Sequence, residues 1–225
     1  MQGPKTTESM TTLAAEMTPV EQQCLKDVLA QKKLAGKHLE IGTAAGGTLC
    51  NMLMYYRDGL GADPLPPFMV IDTMDYFPGQ FEAIEKNLTS HGLDPKSIHF
   101  VRSPSKQAFL AALAKPPEFD FILIDANHKL RYVTQDLRWS SFLKPGGVLC
   151  LHDYSPKFPG VYSSVNRFLQ RNPEYRILQQ GDSLIALEKE RETSRPEVPN
   201  SEILRAEVLG PMLDILASVK KRLFK

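Results

Sequence analysis

"FDFILIDANHKL", residues 119–130, is the stretch of sequence that decides the fold. An almost wholly apolar run from Phe119 to Ile124 stops abruptly at Asp125, and His128 follows three residues later. A short apolar run rich in isoleucine, leucine and phenylalanine is typical of a strand buried on both faces of a parallel sheet. The acid and the imidazole that follow it have two interpretations. They form either a turn with a helix cap or an active site at the end of the strand.

Four other apolar runs, "KHLEIG", "FMVID", "SIHFVRS" and "VLCLHD", end in the same way, and helical patterns separate them. Alternating strands and helices predict an α/β fold, with a Rossmann-like, doubly wound and mostly parallel sheet. "YRILQQGDSLIALEK" adds two strands that meet at Gly181-Asp182, which predicts a C-terminal antiparallel hairpin. Ligands of such sheets bind at the carboxyl ends of the strands. The polar or glycine residues at those ends are Glu40, Gly42, Asp72, Ser103, Asp125, His152 and Asp153.

The start of the chain differs from this alternating pattern. Residues 1–17 are polar and threonine-rich, and we expect a flexible segment there. A first helix should begin at Thr18-Pro19, with Glu21 completing a capping box, and should reach about Leu34. The main domain accordingly spans residues 18–189.

The end of the chain predicts a separate element. Residues 190–200 are charged and carry prolines, which is typical of a linker, and residues 201–225 predict an amphipathic C-terminal helix that Pro211 should kink or restart. The helix suits docking on the domain or on a second copy of the chain, as a homodimer contact. Its basic end also suits contact with a membrane surface. Its apolar stripe consists of Leu204, Val208, Met212, Ile215, Val219 and Leu223.

Composition limits the class of protein. The 225 residues have a formal net charge of +1, so no basic field favours nucleic acid, which we do not expect as a partner. No apolar run approaches the ~20 residues of a membrane span, and the N-terminus lacks the apolar core of a secretory signal. The dispersed Cys24, Cys50 and Cys150 argue against a disulfide framework or a zinc site. We therefore expect a cytoplasmic protein, which would be peripheral to a membrane if the C-terminal helix binds lipid.

The turn "LEIGTAAGGT" predicts a cofactor site. Its spacing, E-x-G-x-x-x-G, differs from the G-x-G-x-x-G of dinucleotide-binding turns. Gly42 and Gly46 let the chain turn tightly beside a ligand. Glu40 is well placed to accept hydrogen bonds from an ammonium group, and Asp72, at the end of the next strand, can bind both hydroxyls of a ribose. A ligand with an amino acid and a nucleoside but no pyrophosphate fits this set, and S-adenosylmethionine is such a ligand.

These motifs, over about residues 20–188, resemble class I S-adenosylmethionine-dependent methyltransferases. The closest likeness is to the small-molecule O-methyltransferases with the pattern I-D-G-x-H-x-Y…D-L…W…L-K-P-G-G…H-D. Two departures are Ala126, where glycine is usual, and Leu130-Arg131-Tyr132, which shifts the expected aromatic residue. The matching positions are Asp125, His128, Asp136, Leu137, Trp139, Lys144, Pro145, Gly146, Gly147, His152 and Asp153.

The resemblance implies a role for each candidate residue. In the cofactor site, Glu40 and the turn with Gly42, Thr43 and Gly46 would hold the methionine portion. Asp72 would bind the ribose. The resemblance also places Ser103 and Ser105 near the adenine, and Asp125 beside the cofactor.

Asp125 and His128 are the candidate catalytic residues. Imidazole titrates near neutral pH, so His128 is the natural general base for an acceptor hydroxyl. Asp125, His152 and Asp153 could also hold a divalent cation that orients the acceptor. Because Mg²⁺ prefers oxygen ligands, His152 leaves Mg²⁺, Mn²⁺ or no metal open. A cap role for Asp125, a loop role for His128 and a structural role for His152 are the alternatives.

The function predicted from the sequence is methyl transfer from S-adenosylmethionine to a hydroxyl of a small molecule or sugar. One alternative is an NAD(P)-dependent oxidoreductase on a similar sheet, which the turn spacing and the lack of a Tyr-x-x-x-Lys pair disfavour. Another is a non-catalytic cofactor-binding or adaptor protein that docks partners through the C-terminal helix.

Overall fold

The computed structural model describes residues 17–223, with side chains as far as Ile215. Its seven strands form one sheet in the order β3-β2-β1-β4-β5-β7-β6. The first five strands run parallel, and β7 joins β5 and β6 antiparallel. The predicted doubly wound sheet with a C-terminal hairpin is confirmed. The strands are β1 His38–Ile41, β2 Phe68–Asp72, β3 Ile98–Arg102, β4 Phe119–Ile124, β5 Leu143–Leu151, β6 Tyr175–Gly181 and β7 Leu184–Lys189.

Helices cover both faces of the sheet. A π-helical turn, Tyr55–Gly59, extends the second helix, and two 3₁₀ turns lie at Pro95–Ser97 and Leu137–Phe142. The α-helices are α1 Pro19–Lys32, α2 Gly47–Met54, α3 Gln80–Ser90, α4 Ser105–Ala112, α5 Leu130–Asp136, α6 Pro159–Arg171 and α7 Asn200–Leu223.

The stretch at residues 119–124 shows how the sheet is buried. Phe121 and Leu123 belong to the apolar layer under α1, α2 and α3, whereas Ile122 and Ile124 belong to the layer under α4, α5 and α6. Side chains alternate between the two faces of a strand, so a strand covered on both faces must be apolar throughout. That requirement explains the apolar run at residues 121–124, whereas Asp120, near the start of the strand, is partly exposed and pairs with Lys144.

The register of the central strands brings their polar ends together. Ile41 pairs with Ile71 on one side and with Ile124 on the other, and Ile124 pairs with Leu151. The residues that follow these partners therefore lie along one edge of the sheet. This edge is the carboxyl end that the sequence predicts as the ligand site.

The segment after β7 is tied to the domain. Lys189 is almost fully buried, and its Nζ lies 2.7 Å from the carbonyl oxygen of Leu143 and 3.0 Å from Oε1 of Glu197. Tyr175 donates a hydrogen bond to Oε2 of Glu197 at 2.8 Å. Buried ion pairs require well-placed partners, so residues 190–199 follow a defined path rather than that of a loose linker.

The structure agrees with some predictions for the two ends of the chain and differs from others. The capping box of Thr18 and Glu21 is present, and α1 ends at Lys32. Of the segment 1–17, only Met17 lies within the described residues, and its side chain is buried. The restart predicted at Pro211 does not occur, because α7 continues through it. Among the helices of residues 17–223, none is both long and apolar enough to cross a membrane.

Candidate functional site

The backbone of the turn after β1 lies very close to the backbone of the neighbouring strand end. Gly42 has a φ of +83°, and a Cβ at this position would lie 2.3 Å from the carbonyl oxygen of Asp125. Gly46 has a φ of +80° and precedes α2. Only glycine adopts such angles without cost. The turn therefore lies directly against the end of β4, and the cofactor half of the cleft adjoins Asp125.

Glu40 lies at the bottom of this turn and is 1% exposed. Within the described part of the chain, its Oε2 atom and the Oγ1 atom of Thr43 are buried without a hydrogen-bond partner. Burial raises the pKa of the Glu40 carboxyl to about 8; the neighbouring Thr43 hydroxyl opposes this rise, and the charges of Asp125 and Asp72 add to it. Buried polar groups in native proteins are normally paired. This pair therefore fits a ligand that brings a cation and hydrogen-bond donors, as the amino-acid portion of S-adenosylmethionine would.

Asp72, at the end of β2, is held in place by several donors. Its Oδ2 accepts a hydrogen bond from the backbone N–H of Thr43 at 2.9 Å, and its Oδ1 accepts one from that of Met74 at 2.8 Å. The buried Gln80 donates to Oδ1 at 3.3 Å and to the carbonyl oxygen of Ala44 at 3.0 Å. These contacts fix the carboxylate beside the turn, where it could bind a ribose.

Of the two serines predicted near the adenine, one faces the cleft edge and the other faces inward. The backbone N–H of Ser103 donates to the carbonyl oxygen of Asp72 at 3.1 Å, so Ser103 adjoins the predicted ribose site. The hydroxyl of Ser105 instead accepts a hydrogen bond from the indole of Trp139 at 3.0 Å. The sequence does not reveal that second contact, and an adenine role for Ser105 stays a prediction.

Asp125 begins a buried chain of charges on the other side of the cleft. Its Oδ1 lies 3.0 Å from Nδ1 of His152, and Nε2 of His152 lies 3.2 Å from Oε2 of Glu21. Burial opposes a charged imidazole, but the hydrogen bond to Asp125 and the charges of Asp125, Asp153 and Glu21 prevail and raise the pKa of His152 to about 9. His152 is thus a cation between carboxylates at neutral pH.

Glu21 completes this chain from the first helix. Its Oε1 accepts hydrogen bonds from the backbone N–H and the hydroxyl of Ser183, at 3.0 and 2.5 Å, and its Oε2 accepts one from the N–H of Thr18 at 2.8 Å. Burial opposes ionisation, but the hydrogen bonds from Ser183 and Thr18 and the charge of His152 lower the pKa of Glu21 to about 2. One carboxylate therefore caps α1 and anchors His152.

His128 and Asp153 form a pair at the mouth of the cleft. Nε2 of His128 lies 2.8 Å from Oδ2 of Asp153, with 42% of the imidazole and 13% of the carboxylate exposed. The hydrogen bond to Asp153 raises the pKa of His128 above its ordinary 6.5, although partial burial opposes the rise. Phe158 packs its ring against the imidazole, with centroids 4.8 Å apart. Asp153 has a φ of +59°, an uncommon conformation that directs this residue toward the cleft.

The loop that carries His128 is held by the start of α6. A Cβ at Gly160 would lie 2.2 Å from the carbonyl oxygen of His128, so this close approach requires glycine. The imidazole is therefore presented from a supported backbone, although its side chain is accessible.

The predicted metal residues do come together. Asp125, His152 and Asp153 each offer one ligand atom, and these atoms lie within 4.8 Å of one another. Two carboxylates and an imidazole suit a divalent cation in number and type. His152 would have to bind such an ion in its neutral form, because a protonated imidazole has no lone pair for a metal.

A glycine turn with a buried acid, followed by an acid that could bind a ribose, lies at the carboxyl edge of this sheet, where the sequence predicts a class I methyltransferase site. The model of a methyltransferase-domain family matches residues 39–154, and the chain therefore belongs to that family. It is therefore an S-adenosylmethionine-dependent methyltransferase, as the sequence predicts, rather than an NAD(P)-dependent oxidoreductase. No curated protein sequence matches the chain significantly.

Solved structures share the fold at low sequence identity. CalS11, a TDP-rhamnose 3'-O-methyltransferase of calicheamicin biosynthesis, has 17% identity and a TM-score of 0.56 over 73% of this chain and 77% of its own. An O-methyltransferase from Bacillus cereus, solved with S-adenosylhomocysteine, has 15% identity and a TM-score of 0.59 over 78% and 84%. The S-adenosylhomocysteine-bound methyltransferase PaMTH1 of Podospora anserina has 13% identity and a TM-score of 0.56 over 77% and 80%.

Two residues of the cleft were not found as site residues from the sequence. Glu21 was recognised only as a capping residue, and it is 131 positions from His152 along the chain. Gln80, 1% exposed, supports Asp72 from the first turn of α3. Neither has a local motif that reports such a role, because both act through contacts that only the folded chain creates.

Proposed function

We propose that the protein transfers the methyl group of S-adenosylmethionine to a hydroxyl oxygen of a small molecule or sugar, with His128 as general base. The observation that carries this proposal is the 2.8 Å contact between His128 and Asp153 at the mouth of the cleft, next to Asp125. The similarly folded CalS11 and the Bacillus cereus protein are O-methyltransferases, which supports oxygen as the acceptor atom.

The residues of the predicted cofactor site would bind and orient S-adenosylmethionine. When bound, S-adenosylmethionine supplies an electrophilic methyl group on a sulfonium centre. Glu40, whose pKa is about 8 in the free protein, would give up its proton and accept hydrogen bonds from the ammonium group. Asp72 is already fixed by the N–H groups of Thr43 and Met74, so it is preorganised for the ribose hydroxyls.

The opposite side of the cleft would handle the proton. Neutral His128 would accept the proton of the acceptor hydroxyl through an imidazole nitrogen, and Asp153 would stabilise the imidazolium that forms. Because the pKa of His128 is raised above 6.5, the neutral base becomes more abundant as the pH rises through that raised value. Turnover should therefore increase with pH on the alkaline side of 6.5. Phe158 would exclude water from one face of the imidazole.

A divalent cation is a second element of the proposal, supported by the ligand atoms of Asp125, His152 and Asp153 within 4.8 Å of one another. These three side chains would hold it, with His152 in its neutral form. Such an ion supplies Lewis acidity that orients an acceptor hydroxyl and lowers its pKa. Binding of Mn²⁺, followed by electron paramagnetic resonance in the wild type and in Asp125→Asn, tests the site without reference to turnover. Equal binding by both forms would place the ion elsewhere.

The first experiment is calorimetric titration with S-adenosylhomocysteine, with NAD as a control ligand, followed by a screen of hydroxylated acceptors for methyl transfer. Binding of the first ligand without the second, and turnover that depends on His128, is the expected result. Methylation that favours a nitrogen or thiol acceptor would overturn the O-methyl assignment while leaving the cofactor site intact.

A further inference from the structure

The loop between β2 and α3, residues 73–79, is held to the cofactor side of the cleft through its backbone. The backbone N–H of Met74 donates to Oδ1 of Asp72 at 2.8 Å, and that of Tyr76 donates to Oε1 of Gln80 at 2.9 Å. Met74 has a φ of +60°, which residues other than glycine seldom adopt. Such a conformation persists only where its surroundings hold it, so the path of the loop depends on these contacts.

The side-chain amide of Gln80 joins three parts of the cleft. Its oxygen accepts the hydrogen bond from Tyr76, and its nitrogen donates to Oδ1 of Asp72 at 3.3 Å and to the carbonyl oxygen of Ala44 at 3.0 Å. A glutamine amide has one acceptor oxygen and two donor hydrogens, so both ends of the group are engaged. Because Gln80 is 1% exposed, water does not readily replace these partners. One buried amide therefore links the loop, the predicted ribose acid and the cofactor turn.

Helix α3 also supports the cofactor turn at two positions that do not contact the loop. Asn87, about two turns after Gln80, donates to the carbonyl oxygen of Ala45 at 2.7 Å. Ile84 lies against Gly46, where an added Cβ would be 3.2 Å from its Cγ2 atom. Gln80 differs from both, because it reaches the turn and the loop with the same side chain.

The loop displays aromatic side chains at the carboxyl edge of the sheet. Tyr76 is 73% exposed, and its ring meets that of Phe77 edge to face, with centroids 6.2 Å apart. Aromatic side chains offer a large and rigid contact surface to a ligand. The position of the loop should therefore affect how well an acceptor is held.

We propose that Gln80 is a positioning residue that couples the two ligands. Cofactor binding at Asp72 and the turn orders the loop through Gln80, and the acceptor then binds against the ordered loop. This inference rests on the proposed function, because it assigns Asp72 and the turn to S-adenosylmethionine. A ligand that fixes Asp72 and the turn fixes two of the three partners of the Gln80 amide, so the third, the Tyr76 N–H, is held more firmly. The coupling is reciprocal, so an ordered loop favours the cofactor in turn.

Amide hydrogen exchange followed by NMR tests the coupling without an acceptor. Saturating S-adenosylhomocysteine should slow the exchange of the Tyr76 N–H by about fivefold or more, which is the lower end of the usual coupling between sites. Gln80→Met keeps the length of the side chain but lacks the amide. In this variant the same N–H should exchange faster in the free protein and should gain no such protection from the ligand. A residue with a merely structural role would change the exchange by the same factor with and without ligand.

Asn87→Leu is the matched control, because it removes an amide that supports the turn from the same helix without contacting the loop. It should weaken the binding of S-adenosylhomocysteine in calorimetry, but at saturating ligand it should keep the wild-type protection of Tyr76. Gln80→Ala, which leaves space for water beside Ala44, provides the same test if Gln80→Met does not fold. The melting temperature shows whether each variant is folded.

The possible outcomes separate the coupling from the proposed function. Equal protection of Tyr76 by the ligand in Gln80→Met and in the wild type would overturn the role of Gln80. Faster exchange in the wild type on binding would mean that the ligand displaces Gln80 from Asp72, which would also overturn it. Binding without any protection would overturn the coupling alone. No binding of S-adenosylhomocysteine by the wild type would refute the proposed cofactor, and the coupling with it.

Discussion

The two halves of the cleft differ in how their polar groups are satisfied. In the cofactor half, Glu40 is buried with an unpartnered oxygen, within the described residues, and a pKa raised to about 8. In the other half, Glu21 is also inaccessible to solvent, but four donor contacts bring its pKa down to about 2. Glu40 lies deeper in the protein and has fewer partners, so depth of burial and hydrogen bonds together decide the charge of each carboxyl. The predicted cofactor half leaves a buried carboxylate oxygen available to a ligand, whereas the carboxylates of the predicted acid-base half are paired with histidines and hydrogen-bond donors of the protein itself.

The largest effect on turnover should come from replacing His128, the exposed residue of the predicted acid-base half. His128→Ala should lower kcat by about 10²–10⁴-fold, because a general base contributes on that scale. The affinity for S-adenosylhomocysteine should stay unchanged, since His128 belongs to the other half. Steady-state kinetics and calorimetry check the two statements. His99→Ala, at an exposed histidine of β3, is the control, and an equal loss there would show that the effect is not specific.

Glu40→Gln should weaken ligand binding but stabilise the free protein. Loss of a charge-assisted hydrogen bond of ~1.5–3 kcal/mol should weaken S-adenosylhomocysteine binding by about 10–100-fold. The free protein should become more stable at pH 7 and above. The folded-state pKa of about 8 exceeds the ordinary 4.5, so ionised Glu40 opposes folding as the pH rises between these values. Thermal unfolding at pH 5 and pH 8 measures this trend, with the exposed Glu85→Gln as control. A variant that is less stable at pH 8 would contradict the assigned environment.

Glu21→Gln should lower turnover indirectly, through the residues that Glu21 holds in place. It removes one of the carboxylates that hold His152, so the position of Asp125 should become less defined and kcat should fall by about tenfold. KM for the cofactor should change little. Asp27→Asn, on the exposed side of the same helix, should leave kcat unaltered. If a loss of cofactor affinity accompanies the fall in kcat, the change reports general unfolding of α1 rather than positioning.

Cofactor binding should release a proton, and the heat of that release is the smallest of the predicted effects. Because the pKa of Glu40 is about 8, most molecules hold this proton at pH 7, and pairing with an ammonium group should expel it. Calorimetry in two buffers of different ionisation enthalpy should give observed heats that differ by nearly one proton. The difference should vanish in Glu40→Gln. Identical heats for the wild type in both buffers would mean that Glu40 is already ionised.

The sheet and the strand-end residues could be predicted from the sequence because the signals are local. The mostly apolar run at residues 119–124, the glycines of the turn and the acids at the carboxyl ends of β1, β2 and β4 each mark a strand or its end. Contacts between distant segments could not be predicted, so Glu21 was recognised only as a cap. The apolar stripe of α7 was recognised, but periodicity alone does not tell which face a fixed helix turns toward its own domain. Ala206 and Gly210, small enough for close packing, occupy that face.

The double role of Glu21 affects how the enzyme is made. Its partner Ser183 lies 162 positions later in the chain. At a synthesis rate of 5–20 residues per second, the first helix waits roughly 8–30 s before Ser183 has been added. The contacts between Glu21 and Ser183 cannot form earlier, and neither apolar layer of the sheet is complete before β7, since Leu184 belongs to one layer and Ile185 to the other. A chain that ends before β7 should therefore lack both a fixed His152 and a closed core.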